Sequence, residues 1–130
     1  MSFPSLTLAY WCVLVAALLP YAAAYMAKLG SFGLRDNQAP REWGARQSGW
    51  RARAYAAQAN SFEGLPFFIG AVVIAHQLGA VQARLDQLAL AYVVLRIVYI
   101  ALYVKGLATG RSAVWALAFL VNIAILFAGR

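Results

Sequence analysis

Acidic residues are scarce in this chain: four Asp and Glu stand against eleven Lys and Arg, and only 12% of the 130 residues carry any of these charges. An ordinary soluble domain carries about a quarter, so that class is excluded. Cys12 is the one cysteine and His76 the one histidine. No internal disulfide can form, and a Cys/His metal centre lacks its ligands, so no metal is expected. Cys12 lies in an apolar run and reads as a small buried apolar residue. The net charge of +7 raises the question of nucleic acid, yet no nucleic-acid motif accompanies the basic residues, which cluster beside apolar runs. Internal repeats and paired broken helices are also missing, which argues against a transporter.

What the chain has in abundance is apolar sequence, 64% of the whole. About twenty such residues cross a bilayer as a helix, and four stretches qualify. They read as spans over residues 6–27, 53–79, 87–104 and 112–128, with one long polar loop over 28–52. The expected fold is all-α: an integral membrane four-helix bundle forming a single domain over 1–130. The N-terminus lacks a basic leader and its apolar run is long enough to span, so the first helix is expected to stay in the mature protein. Pro20 should kink span one. In the loop, Asp36 or Asn37 caps a helix opened by Pro40, so span two is expected to begin well outside the membrane. Trp43, Trp50 and Tyr55 suit the headgroup level.

The informative residues are the polar ones inside spans. In span two, Arg53, Asn60 and Glu63 recur at helical spacing on one face, with Pro66 close behind. An ionisable side chain there is costly unless it faces protein or a watery cavity, which points to a functional pocket. The alternative is that Asn60 and Glu63 only bond helix to helix. In span three, Tyr92, Arg96, Tyr99 and Tyr103 are spaced four, three and four apart, which sets an arginine among phenols on one face. Asn122 in span four reads as a helix-to-helix hydrogen bonder, and His76 as an interfacial or packing residue.

Lys28, Arg35, Arg41, Arg46, Arg51, Arg53, Lys105 and Arg111 fall on one side of a four-span topology, against Arg84 and Arg130 on the other. The positive-inside bias then puts both termini outside the cytoplasm. At 1.5 Å rise per residue, Glu63 lies ~15 Å beyond Arg53 and Arg96 ~14 Å before Lys105. Equal depth predicts an ion pair between Glu63 and Arg96, within one chain or between copies.

Together, RAYAAQANSFEGLPFF in span two, with its Asn60–Glu63–Pro66 core, and RIVYIALY in span three resemble the MAPEG family, the membrane-associated proteins in eicosanoid and glutathione metabolism. The resemblance covers nearly the whole chain and suggests a bacterial-type member of the inner membrane. It implies a homotrimer in membrane lipid, with glutathione as co-substrate in clefts between subunits and a lipophilic small molecule as second substrate. By position, Gln58, Asn60 and Glu63 match glutathione-contacting places in the leukotriene-synthase branch, and Tyr99 and Tyr103 match its span-three tyrosines. Arg96 matches the arginine of the prostaglandin-synthase branch. Arg111 resembles the arginine that holds the thiol as thiolate, which makes Arg111 and Tyr103 the catalytic candidates and Arg53 a further glutathione contact. One departure stands out: active mammalian members carry an arginine where this chain has Ala56. The resemblance therefore implies a glutathione-dependent transferase or peroxidase. A non-enzymatic lipid-binding member, or an accessory subunit of a larger membrane complex, is the alternative.

Overall fold

The computed structural model describes residues 5–129; Arg130, counted above on the outer side, lies outside them. Four helices are long and apolar enough to cross a membrane: α1 (Leu8–Lys28), α3 (Gly49–Gln77), α4 (Gln82–Lys105) and α5 (Ala108–Phe127). A short helix, α2 (Pro40–Ala45), follows a single 3₁₀ turn at Asp36–Gln38.

This corrects the expectation that span two runs unbroken out of the loop. Pro40 does open a helix, at its first turn, where a missing N–H costs nothing, but that helix ends after six residues. The chain restarts at Gly49, whose φ of +63° is ordinary for glycine and strained for any other residue. Spans three and four also begin earlier than their apolar runs suggest, at Gln82 and Ala108. The link before α4 shrinks to a few residues. At the other end of α4, Gly106 is left-handed (φ +79°). Its N–H meets the Tyr103 carbonyl, and that of Leu107 the Leu102 carbonyl, both at 3.0 Å. This is a Schellman end, and it turns the chain sharply back into α5.

Small residues set the packing. The buried face of α1 is Ala9, Cys12, Ala16, Ala23 and Ala27, and it meets α3 through Ala54, Ala57, Ala71 and Ala75. In lipid there is little hydrophobic drive between helices, so close backbone approach along such a stripe is what holds them. Phe68, Val72, Leu85, Ala89, Val93 and Ile125 fill the centre among α3, α4 and α5. Helix α5 is the least enclosed, burying only Ala118, Asn122 and Ile125.

Both ends of the bundle are tied by polar contacts. At the loop end, Arg51 Nη1 donates to the Ala27 carbonyl (2.8 Å) and the Leu29 carbonyl (2.6 Å). It thereby satisfies the carbonyls that the end of α1 leaves free. At the far end, the Thr7 hydroxyl caps α1 by accepting from the Tyr10 N–H (3.2 Å), and Asp86 of α4 accepts from the Ala9 N–H (3.0 Å). His76 stacks on Tyr10 with ring centroids 4.0 Å apart. Its Nδ1 lies 2.8 Å from the Val72 carbonyl and its Nε2 2.8 Å from the Thr7 hydroxyl. A carbonyl only accepts, so Nδ1 carries a proton and donates to Val72.

Candidate functional site

Halfway along α4 the Arg96 side chain turns inward and is only 3% exposed. Its Nη2 donates to Asn60 Oδ1 at 2.8 Å and to Ser61 Oγ at 3.4 Å, both on α3. Its guanidinium lies 4.2 Å from the centroid of the Tyr99 ring, one turn on. A buried guanidinium needs acceptors and a π-face if it is not to cost several kcal/mol, and here it has both.

Asn60 and Ser61 stand where an ion pair with Glu63 was expected. Among the described residues the one ion pair is Arg46 with Asp36, 3.4 Å apart on the loop surface. Helix rise fixes depth but not direction around the axis. Glu63 sits at the level expected, yet three residues past Asn60 it points to the exposed side of α3, while Arg96 faces Asn60. The pair is therefore not made within the chain, although both residues line one cavity.

That cavity, of about 130 Å³, is bounded by Glu63, Gly64 and Phe67 of α3, Tyr92 and Arg96 of α4, and Trp115, Phe119 and Asn122 of α5. The Tyr92 hydroxyl donates to the Gly64 carbonyl at a long 3.4 Å. Asn122 is 3% exposed, and its Oδ1 is buried with no hydrogen-bond partner among the described residues.

Nearer the loop end lies a wider, more open cavity of about 300 Å³, lined by Asn60, Tyr99, Tyr103, Arg111, Ser112 and Trp115. Arg111 lies over Tyr103 (4.2 Å to the ring centroid), and Tyr103 meets Tyr99 edge-on at 5.7 Å. An arginine–tyrosine–tyrosine–arginine ladder thus runs from Arg111 down to Arg96. Its Arg111, Tyr103 and Tyr99 rungs, with Asn60, line a basic, amide-bearing recess suited to an anion with a group that must be held charged. Trp115 stands between the two cavities and borders both.

Of the sequence-derived candidates, the structure brings Asn60, Tyr99, Tyr103 and Arg111 to the open cavity, and Glu63 and Arg96 to the inner one. Two others lie elsewhere. Arg53 Nε donates to the Val104 carbonyl at 2.9 Å and so ties the start of α3 to the end of α4. Gln58 is half-buried and borders neither cavity. Sequence reasoning passed over Ser61, Trp115 and the cavity-facing role of Asn122. A signal was available: Arg111, Trp115, Ala118 and Asn122 repeat the spacing of four, three and four seen in α4, the mark of one helix face.

A model of the MAPEG family matches residues 8–129. No curated protein and no solved structure matches the chain significantly.

Proposed function

The chain belongs to the MAPEG family, and from that premise we propose that it is a multi-pass membrane enzyme, a glutathione-dependent transferase or peroxidase acting on lipophilic electrophiles or hydroperoxides. The observation that carries the reading is the open cavity in which Asn60, Tyr99, Tyr103 and Arg111 converge. Glutathione is a small peptide with two carboxylates and a thiol, and a cationic recess with amide and phenol donors is complementary to it.

In this reading Arg111 lies beside the sulfur and favours the thiolate, since a nearby guanidinium stabilises the charged form. The Tyr103 hydroxyl donates a hydrogen bond to the same sulfur, and Asn60 and Tyr99 orient the peptide. The thiol proton leaves to solvent through the open side. The thiolate then attacks an electrophilic carbon of a lipid-borne substrate, forming the C–S bond as the leaving group departs with its electron pair. With a hydroperoxide it attacks the outer oxygen instead, the O–O bond breaks to leave a sulfenic acid, and the departing alkoxide takes a proton from solvent to leave as an alcohol. A second thiol then reduces the sulfenic acid to disulfide and water.

Glu63 supports the homotrimer reading. An exposed carboxylate at this depth in a bare bundle would face lipid, which is untenable unless another chain or a polar ligand covers it. The eight basic residues on the loop side support termini outside the cytoplasm of a bacterial inner membrane. Ala56, with Arg53 and Gln58 lying off both cavities, favours a second reading: a non-enzymatic lipid-binding protein or accessory subunit. Titrating glutathione into the purified protein separates the two. Saturable binding below millimolar concentration, followed by thiol conjugation that depends on Arg111, supports the enzyme. Absence of any thiol binding at millimolar concentration sinks it.

A further inference from the structure

Between α4 and α5 runs an open groove of about 600 Å³, lined by Leu90, Ala91, Val94 and Leu95 of the one and Leu117 and Val121 of the other. Gln87 is the single polar residue on its lining and marks its far end. Leu117 and Val121 lie on the side of α5 turned away from Trp115 and Phe119, so the groove is separate from both cavities described above. Leu90, Val94 and Leu117 are half exposed along it. Arg84 extends the same face of α4 toward the far end, since residues 84, 87, 91 and 94 follow at spacings of three, four and three. Its side chain is exposed and forms no ion pair among the described residues. Asp86, two residues on, falls on the opposite side of α4, where it accepts from the Ala9 N–H and the Gln82 amide. Membrane orientation does not account for Arg84 either, because a cation on this side works against the charge bias that sets it.

We infer that this groove binds one acyl chain of an anionic phospholipid, with the Arg84 guanidinium on the phosphate and the Gln87 amide donating to the ester carbonyl one turn deeper. The dimensions agree. Leu95 lies eleven residues past Arg84, ~16 Å along the axis, and one leaflet of a ~30 Å hydrocarbon core is ~15 Å deep. The charges agree as well, because a guanidinium and a phosphate form charge-assisted hydrogen bonds. A zwitterionic lipid brings its own cation to that phosphate and gains less from Arg84. Within the groove the gain is van der Waals contact along the chain, the term that packs apolar surfaces in lipid. A second copy of this protein docked through the same face would offer only apolar side chains and Arg84, with no carboxylate to meet the cation. The site goes beyond the thiol chemistry proposed above and stands without it.

The test uses the full chain, stripped of lipid in a neutral detergent with no thiol present. Native mass spectrometry counts the lipids bound as dioleoylphosphatidylglycerol or dioleoylphosphatidylcholine is added. The first phosphatidylglycerol per chain should bind about tenfold more tightly than phosphatidylcholine, the worth of one charge-assisted hydrogen bond. Arg84→Gln should remove that preference, whereas Lys105→Gln, at an exposed cation on the other end of α4, should leave it intact. Ala91→Trp fills the groove and should weaken both lipids about tenfold. In that background Arg84→Gln should change nothing further, because headgroup and chain belong to one molecule. Four results overturn the inference. Equal affinity for the two lipids in the unaltered protein is the first, and a preference that survives Arg84→Gln, which would assign the anionic lipid to the loop-side cations, is the second. The third is tight binding that Ala91→Trp does not weaken, leaving a headgroup contact with no groove. The fourth is an oligomer that Ala91→Trp breaks up with lipid binding unchanged, which would give the groove to a second copy. The unaltered protein and the surface change Arg84→Gln can each overturn the inference, so the test does not depend on Ala91→Trp folding. Because glutathione is absent throughout, failure here leaves the thiol reading untouched.

Discussion

Two polar clusters sit inside this apolar bundle, and they differ in whether their bonds close. At the far end, Thr7, His76 and Asp86 knit three helices into a knot whose acceptors meet donors of the same chain: backbone N–H groups of α1, and the Gln82 amide at 2.7 Å from Asp86. At mid-depth, Arg96 is likewise closed on Asn60 and Ser61. Beside it, however, Asn122 Oδ1 has no partner among the described residues and Glu63 lies exposed. A closed cluster serves the fold. In the open one, the exposed Glu63 carboxylate keeps bonding capacity for something that is not part of the chain, and in lipid that capacity is costly to hold idle.

Breaking the closed part of the mid-depth cluster should have the largest effect. Asn60→Leu leaves the Arg96 guanidinium buried with only the long Ser61 hydrogen bond and the Tyr99 ring face, and should cost about 3 kcal/mol, read as a lowered midpoint in reversible denaturation in mixed micelles. A loss under about 1 kcal/mol would mean that Arg96 escapes to water and is not held as described. Arg111→Ala removes a group from the open cavity. It should lower thiol conjugation about a hundredfold, or ~2.7 kcal/mol of barrier, with the denaturation midpoint nearly unchanged; a parallel fall in both would make Arg111 a structural residue. Thr7→Ala opens the far knot by deleting the α1 cap. It should cost about 1 kcal/mol and leave activity per folded molecule as it was. The smallest effect is expected at Asn122→Leu without added ligand, neutral or stabilising by up to ~1 kcal/mol, because it removes an unmet acceptor. A clear destabilisation there would show that Asn122 Oδ1 is already satisfied and that the two clusters do not differ in kind.

The four crossings were legible because apolar runs of bilayer length are hard to disguise. Less legible were the starts of α4 and α5, where polar first turns (Gln82, Arg84, Asp86; Thr109, Arg111) hide helix that begins outside the apolar run. Within the site, residue type and spacing identified Arg96 as a charge that needs partners, and depth made Glu63 the natural choice. The partners proved to be Asn60 and Ser61 because azimuth, which depends on how α3 and α4 pack, is not written in a rise per residue. Asn122 was noticed as an amide but read as glue. Only the packed α5 shows that Asn122 borders a cavity while its carbonyl oxygen lies buried without a partner among the described residues.

The Arg51 clasp has a consequence for how the chain can vary. By gripping the Ala27 and Leu29 carbonyls, it fastens the exit of the first crossing to the entrance of the second, and the intervening segment becomes an excursion whose two ends are pinned side by side. Its length is thereby uncoupled from the register of the transmembrane pair. A fluorophore, an epitope or a whole inserted domain spliced in at Leu34, which is 94% exposed, would hang from the bundle like a pendant, and the spans beneath would keep their alignment.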